Sequence, residues 1–278
     1  MRIISTESEL IKLVSENKSE LGFVPTMGAL HEGHLSLLRR AKLENELVLC
    51  SIFVNPTQFD KPNDLEKYPR QQEADLDLLR IVGCDFVFTP TVSEMYPEGL
   101  KKLKFDFGIL DKVMEAAHRP GHFDGVATIV KRFFELIKPT RAYFGEKDFQ
   151  QLLVIKEMLL QLAFDIEIVP CETLREPNGL ARSSRNERLP AQKRIDAAVI
   201  FEALTYAKDH YRTKSPLECL TEMRSLIESI DDGEIEYLKI VNEDSLLDIE
   251  NWEDAVHARA CVAVNIGDVR LIDNLLIF

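Results

Sequence analysis

A glycine-rich segment with two histidines, residues 27–34 (MGALHEGH), has the residue types and spacing of an anion site. It follows a β-rich run, 22–26, and precedes residues with the apolar spacing of a helix. In open α/β sheets ligands bind beyond the carboxyl ends of strands, and the N-terminus of the next helix offers N–H groups and partial positive charge. Gly28 and Gly33 permit a close backbone approach to the ligand. The segment therefore predicts a phosphate site.

The two histidines leave alternatives open. His31 and His34 are three residues apart, so both side chains can face one pocket at the helix start. The zincin motif needs histidines four apart with a glutamate directly after the first, and the spacing here indicates no third ligand. A metal pair, or a pair that only caps or packs, thus stands beside the phosphate-binding interpretation.

A second candidate is the basic segment 174–195, which carries a net charge of +4. The whole chain has a net charge of −13, which disfavours a broad surface for a nucleic acid. Any bound anion must therefore be held by a local cluster. A solvated basic face is the common alternative for such a run.

The elements that must position these residues alternate along the first part of the chain. With 278 residues, the length suggests about two domains, and 45% hydrophobic and 29% charged residues are typical of a globular protein. The alternation predicts a doubly wound parallel α/β sheet up to about residue 174, followed by a smaller α+β unit. We predict strands at 22–26, 46–54, 84–89, 142–145 and 165–170, helices at 35–42, 70–82, 126–138 and 149–163, then helices at 191–212 and 216–230 and strands at 234–241, 258–266 and 269–277.

One stretch interrupts this alternation. Between residues 97 and 125 we predict a strand at 103–107, and a turn-rich segment at 119–125 that folds over the site as a lid. Arg119 and His122 belong to that segment and are candidate ligand contacts.

Other classes of protein are disfavoured. The five cysteines are an odd number with no Cys-x-x-Cys pair, which indicates neither a disulfide framework nor a cysteine zinc site. The longest nearly apolar run, 47–54, is far shorter than the roughly 20 residues of a membrane span. The charged start argues against a secretory signal, so we expect a cytoplasmic protein with no membrane or nucleic-acid partner.

Longer strings make a family resemblance specific. The segment 25–35 (PTMGALHEGHL) resembles the signature of the pantothenate synthetase (pantoate–β-alanine ligase) family, in the superfamily of His-x-Gly-His nucleotidyltransferases. SIFVNPTQF at 51–59, RPGHF at 119–123, FGEKDFQQL at 144–152, SSRN at 183–186 and LIDN at 271–274 follow in the order of that family. One departure is Arg182, where the family usually has leucine.

The resemblance implies a Rossmann-like nucleotidyltransferase fold, with residues 1–174 binding ATP and pantoate and 175–278 forming a lid domain. It also implies that ATP, entering with Mg²⁺, activates the pantoate carboxylate as an acyl adenylate that β-alanine then attacks, in a homodimer. Another nucleotidyltransferase on the same fold and a non-catalytic nucleotide-binding regulator are the competing hypotheses. The fold alone does not separate these functions.

The expected site follows from the motifs. Lys147 comes just after a predicted strand, where its ammonium can reach phosphates, and Asp148 could orient it or approach the metal. The resemblance assigns catalysis to His34, as proton donor, with His31 and Lys147; it assigns pantoate or β-alanine to Gln58, Gln151 and Asn55, and it indicates no metal ligand from the protein. The implied ATP-binding residues are Met27, Gly28, Ala29, Leu30, His31, Glu32, Gly33, His34, Gly145, Glu146, Lys147, Asp148, Leu174, Arg182, Ser183, Ser184 and Arg185.

Overall fold

The computed structural model describes residues 1–17, 19–59 and 62–278, and it divides into two compact units. The first unit comprises Met1–Gly145 and Gln150–Cys171, and the second comprises Glu146–Phe149 and Glu172–Phe278. The division falls three residues before the boundary predicted at residue 174. The sequence did not indicate that the short segment after residue 145 belongs to the second unit.

The first unit is built on a six-stranded sheet in which every neighbouring pair is parallel. The strand order is β1-β4-β3-β2-β5-β6, so the predicted doubly wound class is confirmed. Its central strands carry fully buried Phe23, Leu49 and Tyr143. The strands are β1 (Arg2–Ile4), β2 (Leu21–Thr26), β3 (Leu47–Ile52), β4 (Phe86–Phe88), β5 (Arg141–Gly145) and β6 (Glu167–Cys171).

In the described part of this unit, eight helices connect and flank the strands. The helix of 16 residues that precedes β5 is largely buried, which fits its run of phenylalanine, valine and isoleucine. The helices are α1 (Glu7–Glu16), α2 (Glu32–Glu44), α3 (Pro62–Lys67), α4 (Gln72–Ile81), α5 (Val92–Met95), α6 (Met114–His118), α7 (His122–Ile137) and α8 (Phe149–Leu162). Strand β1 and helix α1 had not been predicted; α1 begins at a capping box in which Thr6 and Glu9 satisfy each other's backbone N–H groups.

The strand order places a switch point between β2 and β5. From β2 the chain adds β3 and β4 on one side, and it then adds β5 and β6 on the other. In open α/β sheets, ligands bind at such a switch point, beyond the carboxyl ends of the strands. This topology places residues 27–34 at the edge where such sheets bind ligands.

The second unit is a three-stranded antiparallel sheet with three helices, which matches the small α+β unit predicted from the sequence. The sheet order is β7-β8-β9, and strand β8 is buried along almost its whole length. The buried core of the unit contains Ala203 and Leu204 from one helix together with Val262 and Val264 from that strand. The elements are α9 (Ala191–Asp196), α10 (Val199–His210), α11 (Pro216–Glu228), β7 (Gly233–Asn242), β8 (Ala258–Ile266) and β9 (Val269–Leu276).

Two predicted elements are wrong. Residues 103–107 form no strand, because their backbone bonds to α7 side chains: Leu103 N–H donates to Thr128 Oγ1 (2.9 Å) and Phe105 N–H to Asp124 Oδ1 (3.3 Å). The predicted helix 191–212 is divided into α9 and α10, since the N–H groups of Ala198 and Ile200 bond three residues back, as in a 3-10 turn.

We predict that Gly125→Ala destabilises the first unit. A Cβ atom there would lie 2.3 Å from the Thr57 carbonyl oxygen and 2.7 Å from the Gln58 Cα atom, so the backbone beneath α7 must shift. Alanine improves helix propensity by about 1 kcal/mol, but overpacking costs about 1–3 kcal/mol, so the free energy of unfolding should fall. Urea unfolding measures this. Glu135→Ala, on the exposed face of the same helix, should stay within about 0.5 kcal/mol, and a stabilised Gly125 variant would contradict the packing described.

Candidate active site

The loop between β2 and α2 has an unusual backbone path. Gly28 has a φ of +77° and Ala29 a φ of +50°, both in the left-handed region. Thr26 stabilises the turn, because its Oγ1 donates to the Ser51 carbonyl (2.6 Å) and accepts the Gly28 N–H (3.2 Å). The path turns the chain sharply at the carboxyl end of β2, immediately before His31.

A buried carboxylate that the sequence analysis missed holds this loop. Asp75, in the first turn of α4, is 1% exposed, and its two oxygens accept the N–H groups of Ala29 (2.9 Å) and Leu30 (2.7 Å). Burial raises the pKa of the Asp75 carboxyl, while these two backbone hydrogen bonds act to lower it. A Cβ at Gly28 would lie 2.9 Å from Asp75 Oδ2, so glycine is needed there. In the sequence, Asp75 is one of several acidic residues of a predicted helix, and nothing there indicated that it is buried or that it binds this loop.

The two histidines form a capping box at the start of α2. His31 Nδ1 accepts the Gly33 N–H (3.1 Å), and His34 Nδ1 accepts the His31 N–H (3.3 Å). The ring centroids are 4.1 Å apart. Because each Nδ1 is an acceptor, the proton of each neutral ring lies on Nε2. Capping and ligand binding are therefore compatible, since they use different nitrogens.

These bonds change the expected means of anion binding. The N–H groups of Ala29, Leu30 and His31, before α2, and of Gly33, in its first turn, all donate to side chains of the same unit, so these four backbone donors are already used. The capping box uses only the Nδ1 atoms of the two side chains, and the imidazole Nε2–H groups take no part in it. Donors fixed in this way lose little orientational freedom when a ligand binds, which favours phosphoryl transfer. Glu32 is exposed and paired with Arg39 Nη1 at 2.8 Å.

The loop after β3 places Gln58 beside this segment. Gln58 Nε2 lies 2.9 Å from Met27 Sδ, and its Oε1 accepts from Asn55 Nδ2 (3.2 Å). Asn55 is 1% exposed; its Nδ2 also bonds to the Gly125 carbonyl (3.1 Å), and its Oδ1 accepts from Tyr96 Oη (2.6 Å). The Asn55 amide is thus engaged by protein groups, which makes it a support for Gln58.

The segment 119–125, expected as a lid, is tied to the same loop. His122 is buried and begins α7, so the turn is confined to the residues before it. Its Nδ1 lies 2.6 Å from the Gln58 carbonyl oxygen, and its Nε2 lies 3.1 Å from Arg119 Nη1. Since a carbonyl only accepts, Nδ1 carries the proton and Nε2 accepts from arginine. This pair fixes the backbone at Gln58.

Adjacent glutamines in the first turn of α8 have different environments. Gln151 is half-buried in the helix that follows β5. Gln150 is buried, and its Nε2 donates to the carbonyls of Leu110 (2.8 Å) and Val113 (2.9 Å). The amide of Gln150 therefore joins α8 to the segment 110–113, and the amide of Gln151 takes no part in that contact.

In the second unit, Lys147 lies in a 3-10 turn, Glu146–Asp148. Its Nζ is 3.2 Å from Asp148 Oδ2 and 3.3 Å from Oδ1, so Asp148 contacts the ammonium, which is one of the two roles that the sequence left open. At Gly145, no atom lies within 4 Å of the position that a Cβ would take, so close packing within the protein does not require glycine there.

The basic segment of the second unit is partly neutralised within that unit. Arg175 pairs with Asp273, Lys193 with Asp231, and Arg194 with Glu176 and Glu187. The net charge of +4 already includes Glu176 and Glu187, but Asp273 and Asp231 lie outside the segment and neutralise two of its cations, so the +4 charge is not all available to a ligand. The remaining arginines of the segment, Arg182, Arg185 and Arg188, are half-buried.

The Ser-Ser-Arg sequence has a defined local structure. Ser183 Oγ accepts the Arg185 N–H (3.2 Å), capping a 3-10 helix, Ser184–Arg188. Just before it, the Arg182 N–H donates to the Leu174 carbonyl (2.9 Å), closing a short antiparallel hairpin whose turn lies at residues 176–179. The expected Leu174–Arg185 set therefore lies on a single folded segment.

The structure describes no group of three His, Cys, Asp or Glu in residues 1–17, 19–59 and 62–278 that could hold a metal. Within those ranges, no helix is long and apolar enough to cross a membrane.

Comparison with known proteins agrees with this arrangement of motifs. The family model described as pantoate-beta-alanine ligase matches residues 2–276. The chain belongs to the pantoate–β-alanine ligase family. The predicted family and its enzyme class, a ligase, are thereby confirmed.

Individual relatives match along their whole length. The pantothenate synthetase of Bacteroides fragilis is 47% identical over 99% of this chain and 98% of its own, and that of Phocaeicola vulgatus is 48% identical over 99% of both. The crystal structure of pantothenate synthetase from Thermus thermophilus has a TM-score of 0.95 at 44% identity and full coverage of both chains. A pantoate-beta-alanine ligase from Francisella tularensis, complexed with beta-gamma ATP and beta-alanine, has a TM-score of 0.83 at 35% identity, covering 100% of this chain and 98% of its own.

We predict that Asp75→Asn impairs the ligase more than it impairs folding. An amide NH₂ would face one of the two loop N–H donors, and an unsatisfied buried donor costs about 1–3 kcal/mol. If the loop relaxes to relieve this, kcat/KM should fall about 5–150-fold with a small change in Tm. Asp77→Asn, on the exposed face of α4, is the matched control and should behave like the unaltered chain. Unchanged kcat/KM in a folded Asp75 variant would show that the carboxylate does not position the loop.

Proposed function

We propose that this protein condenses (R)-pantoate with β-alanine, using ATP, to give pantothenate, AMP and pyrophosphate through a pantoyl adenylate. The observation that carries the proposal is the placement of Gln58. Its amide lies against Met27, the first residue of the histidine loop, and is supported by Asn55. A neutral amide suits a hydroxy acid next to a nucleotide, because it reads hydroxyl groups without adding charge.

The chemistry follows from the need for an activated acyl group. An amine does not displace oxide from a carboxylate, so the pantoate carboxylate first attacks the α-phosphorus of ATP and pyrophosphate leaves. The β-alanine amine then attacks the acyl carbon, AMP departs, and an amide bond forms. Phosphoryl transfer chiefly requires positioned groups that cancel growing negative charge.

Each residue of the site has a role in that first step. We assign the Nε2–H groups of His31 and His34 to phosphate oxygens, with His34 also serving as the proton donor. In the second unit we assign Lys147 to the phosphates, and Ser183, Ser184 and Arg185 to the pyrophosphate that leaves. Gln58 and Gln151 bind pantoate. The rest of the ATP set, from Met27 to Gly33, Gly145 to Asp148, Leu174 and Arg182, is proposed to line the nucleotide.

Mg²⁺ belongs to the substrate in this scheme. It enters as the complex with the ATP phosphates, and no carboxylate of the chain is required to hold it. We further propose that the protein is a cytoplasmic homodimer. A nucleotidyltransferase of another specificity would keep the histidines and Lys147 but would not need the supported amide of Gln58, and that amide favours the ligase.

The first test concerns the two glutamines. Gln58→Ala and Gln151→Ala should each raise KM for pantoate about 5–150-fold, because hydroxyl partners left unpaired cost about 1–3 kcal/mol, while KM for ATP changes less than about twofold. Steady-state titration of each substrate measures both constants. Gln161→Ala, exposed near the end of α8, is the control. A selective defect in ATP use would reassign the glutamines to the nucleotide.

The second test separates the half-reactions. Labelled pyrophosphate should exchange into ATP when pantoate and Mg²⁺ are present and β-alanine is absent, and hydroxylamine should trap the adenylate as a hydroxamate. Lys147→Ala should lower the exchange rate about tenfold or more, since a charged partner of the phosphates contributes about 1.5–3 kcal/mol. Exchange without pantoate would favour the general nucleotidyltransferase, and exchange only after addition of β-alanine would contradict the free adenylate.

A further inference from the structure

The LIDN motif at residues 271–274 has no role in the chemistry above, yet two of its residues are buried polar groups. In β9 alternate side chains face opposite sides of the sheet, so Asp273 and Asn274 point to opposite faces. Arg270 and Ile272, on the face of Asn274, are half-buried, whereas Asn274 is only 5% exposed. Something therefore covers Asn274 specifically.

The cover is the turn that carries Lys147. Asn274 Nδ2 donates to the carbonyl oxygens of Glu146 (2.8 Å) and Lys147 (3.0 Å), so both of its amide hydrogens are used on one turn. These bonds explain why the segment after β5 groups with the second unit. Two consecutive carbonyls bound to one planar amide define the direction of the backbone at Lys147.

A second buried group orients that amide. Asn274 Oδ1 accepts from Arg259 Nη1 (2.6 Å), and Arg259 is itself only 4% exposed. Its guanidinium pairs with Glu243 and lies 3.9 Å over the Phe149 ring, so it is fixed from three sides. With Oδ1 facing Arg259, the Nδ2 group must face the carbonyls.

On the opposite face, Asp273 anchors the segment before Ser183–Arg185, the residues proposed to bind pyrophosphate. Its carboxylate binds Arg175 in a bidentate manner (2.6 and 3.0 Å), and Arg175 also donates to the Gly179 carbonyl (3.1 Å) inside the hairpin that ends at Arg182. Burial raises the pKa of Asp273, while the Arg175 guanidinium and, more weakly, the Lys147 ammonium act to lower it. Ser183 follows this hairpin directly.

We propose that Asp273 and Asn274 are positioning residues that hold, from opposite faces of β9, the Ser183–Arg185 and Lys147 segments of the ligase. Asn274 acts through Lys147, and Asp273 acts through the turn that Arg175 closes. The inference rests on the proposed function only in taking Lys147 and the serines to bind phosphate. It adds that their placement is set by strand β9 rather than by the strand and helix adjacent to Lys147 in sequence.

The decisive variant is Asn274→Asp. A carboxylate still accepts from Arg259, so folding should be retained, but it turns an oxygen toward the two carbonyls and repels the Lys147 turn. We expect the pyrophosphate-exchange rate to fall at least about tenfold and the Kd for a non-hydrolysable ATP analogue to rise, while KM for pantoate changes less than about twofold. Asn242→Ala, which removes a turn-capping side chain elsewhere in the second unit, is the matched control.

A double-mutant cycle separates positioning from general structural damage. If Asn274 acts through Lys147, adding Asn274→Asp to Lys147→Ala should change exchange less than about twofold, whereas independent effects would multiply and overturn the proposal. If Asn274→Asp lowers Tm strongly, Asn274→Ser, which keeps one donor, replaces it and should show a smaller defect of the same kind.

The controls also separate this inference from the proposed function. Absence of exchange in the unaltered protein would contradict the proposed function itself. Exchange that Lys147→Ala weakens but that neither folded Asn274 variant changes would contradict only the role of Asn274.

Discussion

The loop that begins the candidate active site exists in its observed form because one buried carboxylate binds it. Asp75 accepts two consecutive N–H groups from a backbone that turns through left-handed conformations. A loop of this kind cannot satisfy its own polar groups through sheet or helix bonds, and buried backbone groups left unpaired are costly. The side chain from α4 therefore decides where His31 and the start of α2 lie.

The same physical solution recurs at the other loops. At the turn that carries Gln58, Asn55 bonds to the side-chain amide of Gln58, and His122 bonds to its backbone carbonyl. Asn274 does this for the turn at Lys147, and Asp273 does it for the turn before Ser183 through Arg175. Each loop with a proposed ligand contact thus depends on a buried polar residue that makes no such contact. A defect in one of these supports would alter the chemistry without altering a reacting group.

The sequence by itself determined the family, the parallel α/β class, the second α+β unit and the motifs of the site. Those properties depend on local periodicity and on short strings, which are visible without knowing what each residue contacts. The strand predicted at residues 103–107 is wrong, because its apolar alternation looks like a strand until Thr128 and Asp124 are known to bind its backbone. The count of charges in the basic segment did not show that Arg175 and Lys193 pair with carboxylates outside it, Asp273 and Asp231, which are distant in sequence.

Only the tertiary structure decided which polar residues support the site. Asp75 lies 45 residues beyond the Leu30 N–H it binds, and Asn274 lies 127 residues beyond the Lys147 carbonyl it binds. Their neighbours in sequence carry no trace of those partners, since burial and hydrogen bonding arise from packing between distant segments. The types and spacing of the reacting residues are therefore properties of the sequence, whereas the groups that hold them in place are properties of the fold.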